Sequence, residues 1–69
     1  MTGPAKRSVT VAGHRTSLSM EPEFWSTLQE IAAKDGCSLA ELITKIDEAR
    51  GGRNLSSAVR VFVLNRLKA

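Results

Sequence analysis

A seven-residue alternation, His14-Arg15-Thr16-Ser17-Leu18-Ser19-Met20, constrains this chain more than any other stretch of it. A period of two sends Leu18 and Met20 to one face of an extended strand and Arg15, Ser17 and Ser19 to the other. A lone strand leaves a row of backbone N–H and C=O groups without partners, and such an edge is a liability. Most of the remaining sequence reads as helix, so the expected partner is the same strand of a second copy. The pair would form a two-stranded ribbon, apolar on one face, basic and hydroxyl-rich on the other.

Size favours association. At 69 residues, the chain is near the length at which folding buries only about 60% of the unfolded surface. Its 42% hydrophobic and 25% charged residues suit a folded chain. The net charge of +3 is unevenly spread. Lys6, Arg7 and Arg15 stand without an acid in residues 1–20, whereas residues 21–49 are net acidic. Residues 50–69 carry Arg50, Arg53, Arg60, Arg66 and Lys68, again without an acid. Such a layout points to a polyanion met at particular places. Cys37 is the single cysteine, which excludes an intrachain disulfide and fits a reducing cytoplasm. No apolar run reaches membrane-spanning length, and no apolar stretch follows Lys6 and Arg7 as a signal peptide requires.

Residues 1–7 read as a flexible tail and residues 8–69 as one domain. Val9 and Val11 alternate with Ser8 and Thr10, but in a phase opposite to that of Leu18 and Met20. A bulge or turn at Gly13 is expected to reset the register. The functional strand then runs from about 14 to 20, with Val9–Val11 an extension or a packed arm.

Three helices follow. The first spans 22–35, with Pro22 at its first position, a stripe of Phe24, Leu28, Ile31 and Ala32, and Gly36 as its stop. The second spans 38–50 and opens on the capping box Ser38-Leu39-Ala40-Glu41, with Cys37 and Leu42 as a hydrophobic staple. Leu39, Leu42, Ile43 and Ile46 mark its inner face. After Gly51-Gly52, Asn54 or Ser56 caps a third helix over 55–68. That helix is apolar on most sides, which suits the centre of a core or a subunit interface.

The order strand, helix, Gly turn, capped helix resembles the ribbon-helix-helix family of bacterial DNA-binding proteins. The matching residues are Arg15-Thr16-Ser17-Leu18-Ser19-Met20, Glu21-Pro22-Glu23, the Leu28/Ile31/Ala32 stripe, Gly36, and Ser38 with Leu42-Ile43. Residues 6–17 and 54–64 are further similar to a subgroup of short proteobacterial proteins carrying this domain. The resemblance implies a mainly α fold with one short strand per chain. Two chains would intertwine as a homodimer through an antiparallel intersubunit ribbon, each with an additional C-terminal helix.

In that family the ribbon enters the major groove, whose width admits it. By position, Arg15, Ser17 and Ser19 would face the bases, with Arg15 suited to guanine O6 and N7. Lys6 and Arg7 would reach phosphates as an arm. The backbone N–H groups near Ser38 and Leu39 would clamp a phosphate at the second helix's N-terminus. Leu18, Met20, Leu42, Ile43, Ile46, Val59, Phe62 and Val63 are expected at the dimer interface. Only Arg15 among the three outward strand positions is charged, which leaves more of the affinity to phosphate contacts and DNA shape.

Catalysis finds no support: the sequence holds no paired nucleophile and base and no glycine-rich phosphate loop. His14 reads as a local hydrogen-bonding residue and Cys37 as a small staple residue, so neither a metal nor a cofactor is expected. The expected function is sequence-specific binding of double-stranded DNA by a cytoplasmic homodimer, as a transcriptional repressor or autoregulator. Two alternatives stand beside it. One is an antitoxin-like protein that binds DNA by its ribbon and a partner protein by its C-terminal helix. The other is a dimerisation or protein-interaction module without DNA reading.

Overall fold

The opposite phases of the two extended segments mark a two-residue turn between paired strands. In the computed structural model, which describes residues 3–69, β1 (Ala5–Val11) and β2 (His14–Met20) form an antiparallel hairpin. Val11 faces His14, Val9 faces Thr16, Arg7 faces Leu18 and Ala5 faces Met20, so odd residues pair with even ones. Directly opposed residues share a face of the sheet. Val9, Val11, Leu18 and Met20 therefore all turn inward, and all four are buried.

The ribbon is thus closed within one chain. The chain has two strands where one was expected, and within the chain Ala5–Val11 is the partner of His14–Met20. Ala5–Arg7, expected in the tail, belong to β1 because Met20, Ser19 and Leu18 lie opposite them. Met1 and Thr2, the start of that expected tail, lie outside the described residues.

Ala12 and Gly13 make the turn with φ of 51° and 82°. Positive φ at both central positions is the type I′ geometry, whose twist matches that of the flanking strands. A residue with a Cβ is disfavoured there, at a cost of roughly 1–2 kcal/mol. Asparagine tolerates the region better, so Ala12→Asn should raise the thermal midpoint by about 4 °C or more. An unchanged or lower midpoint in calorimetry would count against this turn.

The helices are α1 (Pro22–Asp35), α2 (Leu39–Ala49) and α3 (Leu55–Lys68). Gly36 ends α1 in the left-handed conformation, φ 71°, and the Cys37 N–H donates to the Ala32 carbonyl at 3.0 Å. Ser38 and Arg50 cap α2 rather than extend it. Asn54 caps α3, its Oδ1 accepting from the Ser57 N–H at 2.8 Å. The expected ribbon-helix-helix order with an added C-terminal helix holds.

Leu28, Ile31 and Ala32 of α1, Leu42, Ile43 and Ile46 of α2, and Ala58, Val59 and Val63 of α3 meet the inner face of the hairpin in one core. Leu18, Met20, Leu42, Ile43, Ile46, Val59 and Val63, expected between subunits, are interior to a single chain. Phe62 is half-buried against them. The reason is physical: the intrachain hairpin supplies the apolar layer that a second copy was expected to bring.

Candidate nucleic-acid interface

The hairpin's outer face carries Lys6, Ser8 and Thr10 from β1 and Arg15, Ser17 and Ser19 from β2. Across the strands Lys6 stands opposite Ser19, Ser8 opposite Ser17, and Thr10 opposite Arg15. The two cations therefore occupy diagonal corners of a field of hydroxyls, and no acid of either strand shares the face. All six side chains are exposed except that of Ser19, which is half-buried. Such a surface offers a forked set of donors at Arg15, an ammonium at Lys6, and hydroxyls able to donate or accept. Two strands about 4.8 Å apart form a ribbon that a groove of about 12 Å admits.

The structure brings Arg15, Ser17 and Ser19 to this face together with Lys6. Arg7 goes elsewhere. It turns to the inner face, half-buried, with its guanidinium 5.2 Å from the centroid of the Trp25 ring. Its Nε is buried without a hydrogen-bond partner among the described residues. Adjacent residues of a strand point to opposite faces, so Lys6 and Arg7 do not act as one basic arm.

The N-terminus of α2 is occupied by its own capping box. The Ser38 N–H donates to Glu41 Oε1 at 2.9 Å, and the Glu41 N–H donates to Ser38 Oγ at 3.1 Å. These contacts hold the Glu41 carboxyl below its usual value, first through the Ser38 N–H and then through its hydroxyl. A phosphate approaching Ser38 and Leu39 would meet that carboxylate. Glu41→Gln keeps the reciprocal hydrogen bonds, since glutamine also serves in a capping box, but removes the charge. If duplex DNA places a phosphate at this cap, the variant should bind it several-fold more tightly, on the order of one unfavourable near-surface charge contact. The carboxylate's lowered pKa stabilises the fold above the usual value of 4.5, and this contribution is lost as pH falls through the lowered value. The variant should lack that part of the acid-induced loss of stability. Acid titration and DNA titration of the same protein check both.

Three of the five cations in the basic C-terminal segment are paired with acids. Arg60 Nε donates to Glu21 Oε1 at 2.9 Å, Arg50 Nε donates to Asp47 Oδ1 at 2.7 Å, and Arg66 forms a two-pronged pair with Asp35. Hydrogen bonds from Arg60 and Arg66 lower the carboxyl groups of Glu21 and Asp35, and Asp35 raises Arg66 in return. These three arginines thus have carboxylate partners within the chain, whereas exposed Arg53 and Lys68 form no ion pair among the described residues.

Ser56, one of two residues expected to cap α3, does not do so. Its Oγ instead accepts the backbone N–H of Ser19 at 3.2 Å, while Arg60 Nη2 donates to the Ser19 carbonyl at 3.2 Å. Neither contact has a local signal, because the partners lie 37 and 41 residues apart. Among the described residues no cluster of His, Cys, Asp or Glu could hold a metal ion. No helix there is long and apolar enough to cross a membrane.

A hairpin with an acid-free outer face, carried on a Gly-stopped helix, a boxed helix and a third helix, defines a small ribbon-bearing α-helical domain. The chain belongs to the ribbon-helix-helix domain family, which matches residues 4–67 and has a regulatory, non-enzymatic fold. It is also similar in structure to an uncharacterized protein from Bordetella pertussis Tohama I, with a TM-score of 0.78 and 33% sequence identity. The match covers 93% of this chain and 55% of that one, so this chain spans about half the length of its structural relative. No curated protein matches the sequence.

Proposed function

We propose that the protein is a sequence-specific DNA-binding regulator, a transcriptional repressor or autoregulator acting in the bacterial cytoplasm. Its ribbon enters the major groove of double-stranded DNA. The observation that carries this reading is the outer ribbon face, where Lys6 and Arg15 flank Ser8, Thr10, Ser17 and Ser19 with no acid among them. Arg15, Ser17 and Ser19 read base edges. Lys6 neutralises phosphate at the opposite corner, assisted by the α2 N-terminus around Ser38 and Leu39 once Glu41 yields. Arg7 takes part through the placement of β1 against Trp25 rather than as a mobile arm.

The reading extends to protein partners. Leu64 and Leu67 on α3 are 53% and 68% exposed, and they favour either pairing of two copies or an antitoxin-like role in which α3 holds another protein. Selection from random duplexes at physiological salt, followed by a salt titration on the winning sequence, tests the DNA reading. Enrichment of one motif is expected, with affinity falling as salt rises, more steeply the more phosphates are neutralised. A chain that enriches nothing and is not retained on DNA at low salt is an interaction module instead.

A further inference from the structure

The hairpin is joined to the helices covalently through Glu21 alone, between the end of β2 at Met20 and the start of α1 at Pro22. Apolar packing beneath it resists lifting, but that force is non-directional and leaves tilt poorly defined. Direction comes from α3. At Ser19 both backbone groups that face away from β1 are taken. The N–H donates to Ser56 Oγ at 3.2 Å and the carbonyl accepts from Arg60 Nη2 at 3.2 Å. The same guanidinium donates through Nε to Glu21 Oε1 at 2.9 Å. One planar, forked group thereby bridges the strand's penultimate residue and the linker residue that follows the strand. Both side chains are about one-third exposed, and the direction comes from the fixed fork of donors held at both ends.

We propose that Arg60 and Ser56 are positioning residues for DNA recognition, fixing the tilt of the ribbon so that Arg15, Ser17 and Ser19 meet the bases together. The inference rests on the reading of the ribbon as a DNA-binding face. It assigns Arg60 a role other than phosphate contact, since its donors are already directed at Ser19 and Glu21. Recognition groups held loosely by about 1 Å lose much of their discrimination, which is why the supporting contacts matter.

The test compares binding to the selected duplex with binding to a scrambled duplex, at a temperature well below each variant's thermal midpoint. Arg60→Gln should lower the ratio of the two affinities about tenfold, the lower part of what one base contact discriminates, with the salt dependence unchanged. Arg60→Lys should also lower the ratio, because an ammonium cannot reproduce the fork, although it would replace a phosphate contact well. Ser56→Ala removes the Ser19 N–H acceptor without changing charge and gives the same direction of effect should Arg60 variants fold poorly. An undiminished ratio in Arg60→Gln and Ser56→Ala, with a parent that prefers its selected site, overturns the positioning role alone. So does a salt slope reduced by about one phosphate with the ratio kept. A parent with no preference overturns the DNA reading itself, and the positioning role with it.

Discussion

Met20→Ala is expected to cost about 2–5 kcal/mol of folding stability, the range for removing a fully buried long apolar side chain. Met20 closes β2, is completely shielded from solvent, and sits in the core shared with Leu28, Ile43 and Val59. It is also the last inner-face residue of the hairpin before Glu21 and α1, so the cavity would open where ribbon and helices join. A domain of this size has little in reserve, because stabilities of about 5–15 kcal/mol are usual and small chains lie at the lower end. Urea unfolding should show the midpoint falling by a large fraction of its value, or the variant partly unfolded at the outset. Leu64→Ala, at an exposed position on α3, makes the contrasting control and should change stability little. A Met20→Ala loss below about 1 kcal/mol would contradict packing of the hairpin on its own helices.

Arg15→Ala carries the largest expected effect on binding. Arg15 is exposed on the outer face, opposite Thr10 and at the far corner from Lys6. No carboxylate engages it among the described residues, so its fork of donors is available. Loss of a bidentate contact to a base costs about 1–3 kcal/mol and relaxes preference at the position read. The selected and scrambled duplexes should therefore bind more nearly alike, as well as more weakly. Lys6→Ala serves as the comparison, because losing a phosphate contact weakens every sequence to the same degree and reduces the salt slope by about one. Should Arg15→Ala behave like that comparison, Arg15 contacts phosphate and the bases are read elsewhere. Its stability should be unchanged, since the side chain projects away from the core.

Much of this organisation is legible in local sequence, and the exceptions have a common cause. The Ser38/Glu41 capping box, the left-handed Gly36 and the Pro22 start of α1 are short-range devices whose partners lie within a few residues. Alternation in residues 14–20 places Arg15, Ser17 and Ser19 on one face by covalent geometry alone. The hairpin is hidden when the opposite phases of Val9/Val11 and Leu18/Met20 are read as a conflict. An even-numbered loop always brings odd residues against even ones, so that opposition is the expected mark of a two-residue turn. Ala12 obscures it further, since Asn, Asp or Gly is the usual sign of such a turn. Reading one strand in place of two then moves the core residues to a subunit interface and places Ala5–Arg7 in a tail. Arg7 follows the same logic, because its facing is fixed only once β1 is recognised as a strand. The contacts of Ser56 and Arg60 with Ser19 span 37 and 41 residues, and depend on how α3 crosses the end of β2. Nothing within either segment signals the other.

Closure of the ribbon inside one chain has a geometric consequence. A ribbon built from two identical strands has a two-fold axis through its centre and presents the same sequence of groups from either end. This hairpin has no such axis: one strand reads Lys, Ser, Thr outward and the other Arg, Ser, Ser, with a tight turn at one end and a helix at the other. A surface of that kind has a head and a tail. A single copy therefore presents its groups in one orientation, and any two-fold symmetry towards a target has to come from the way two copies are arranged.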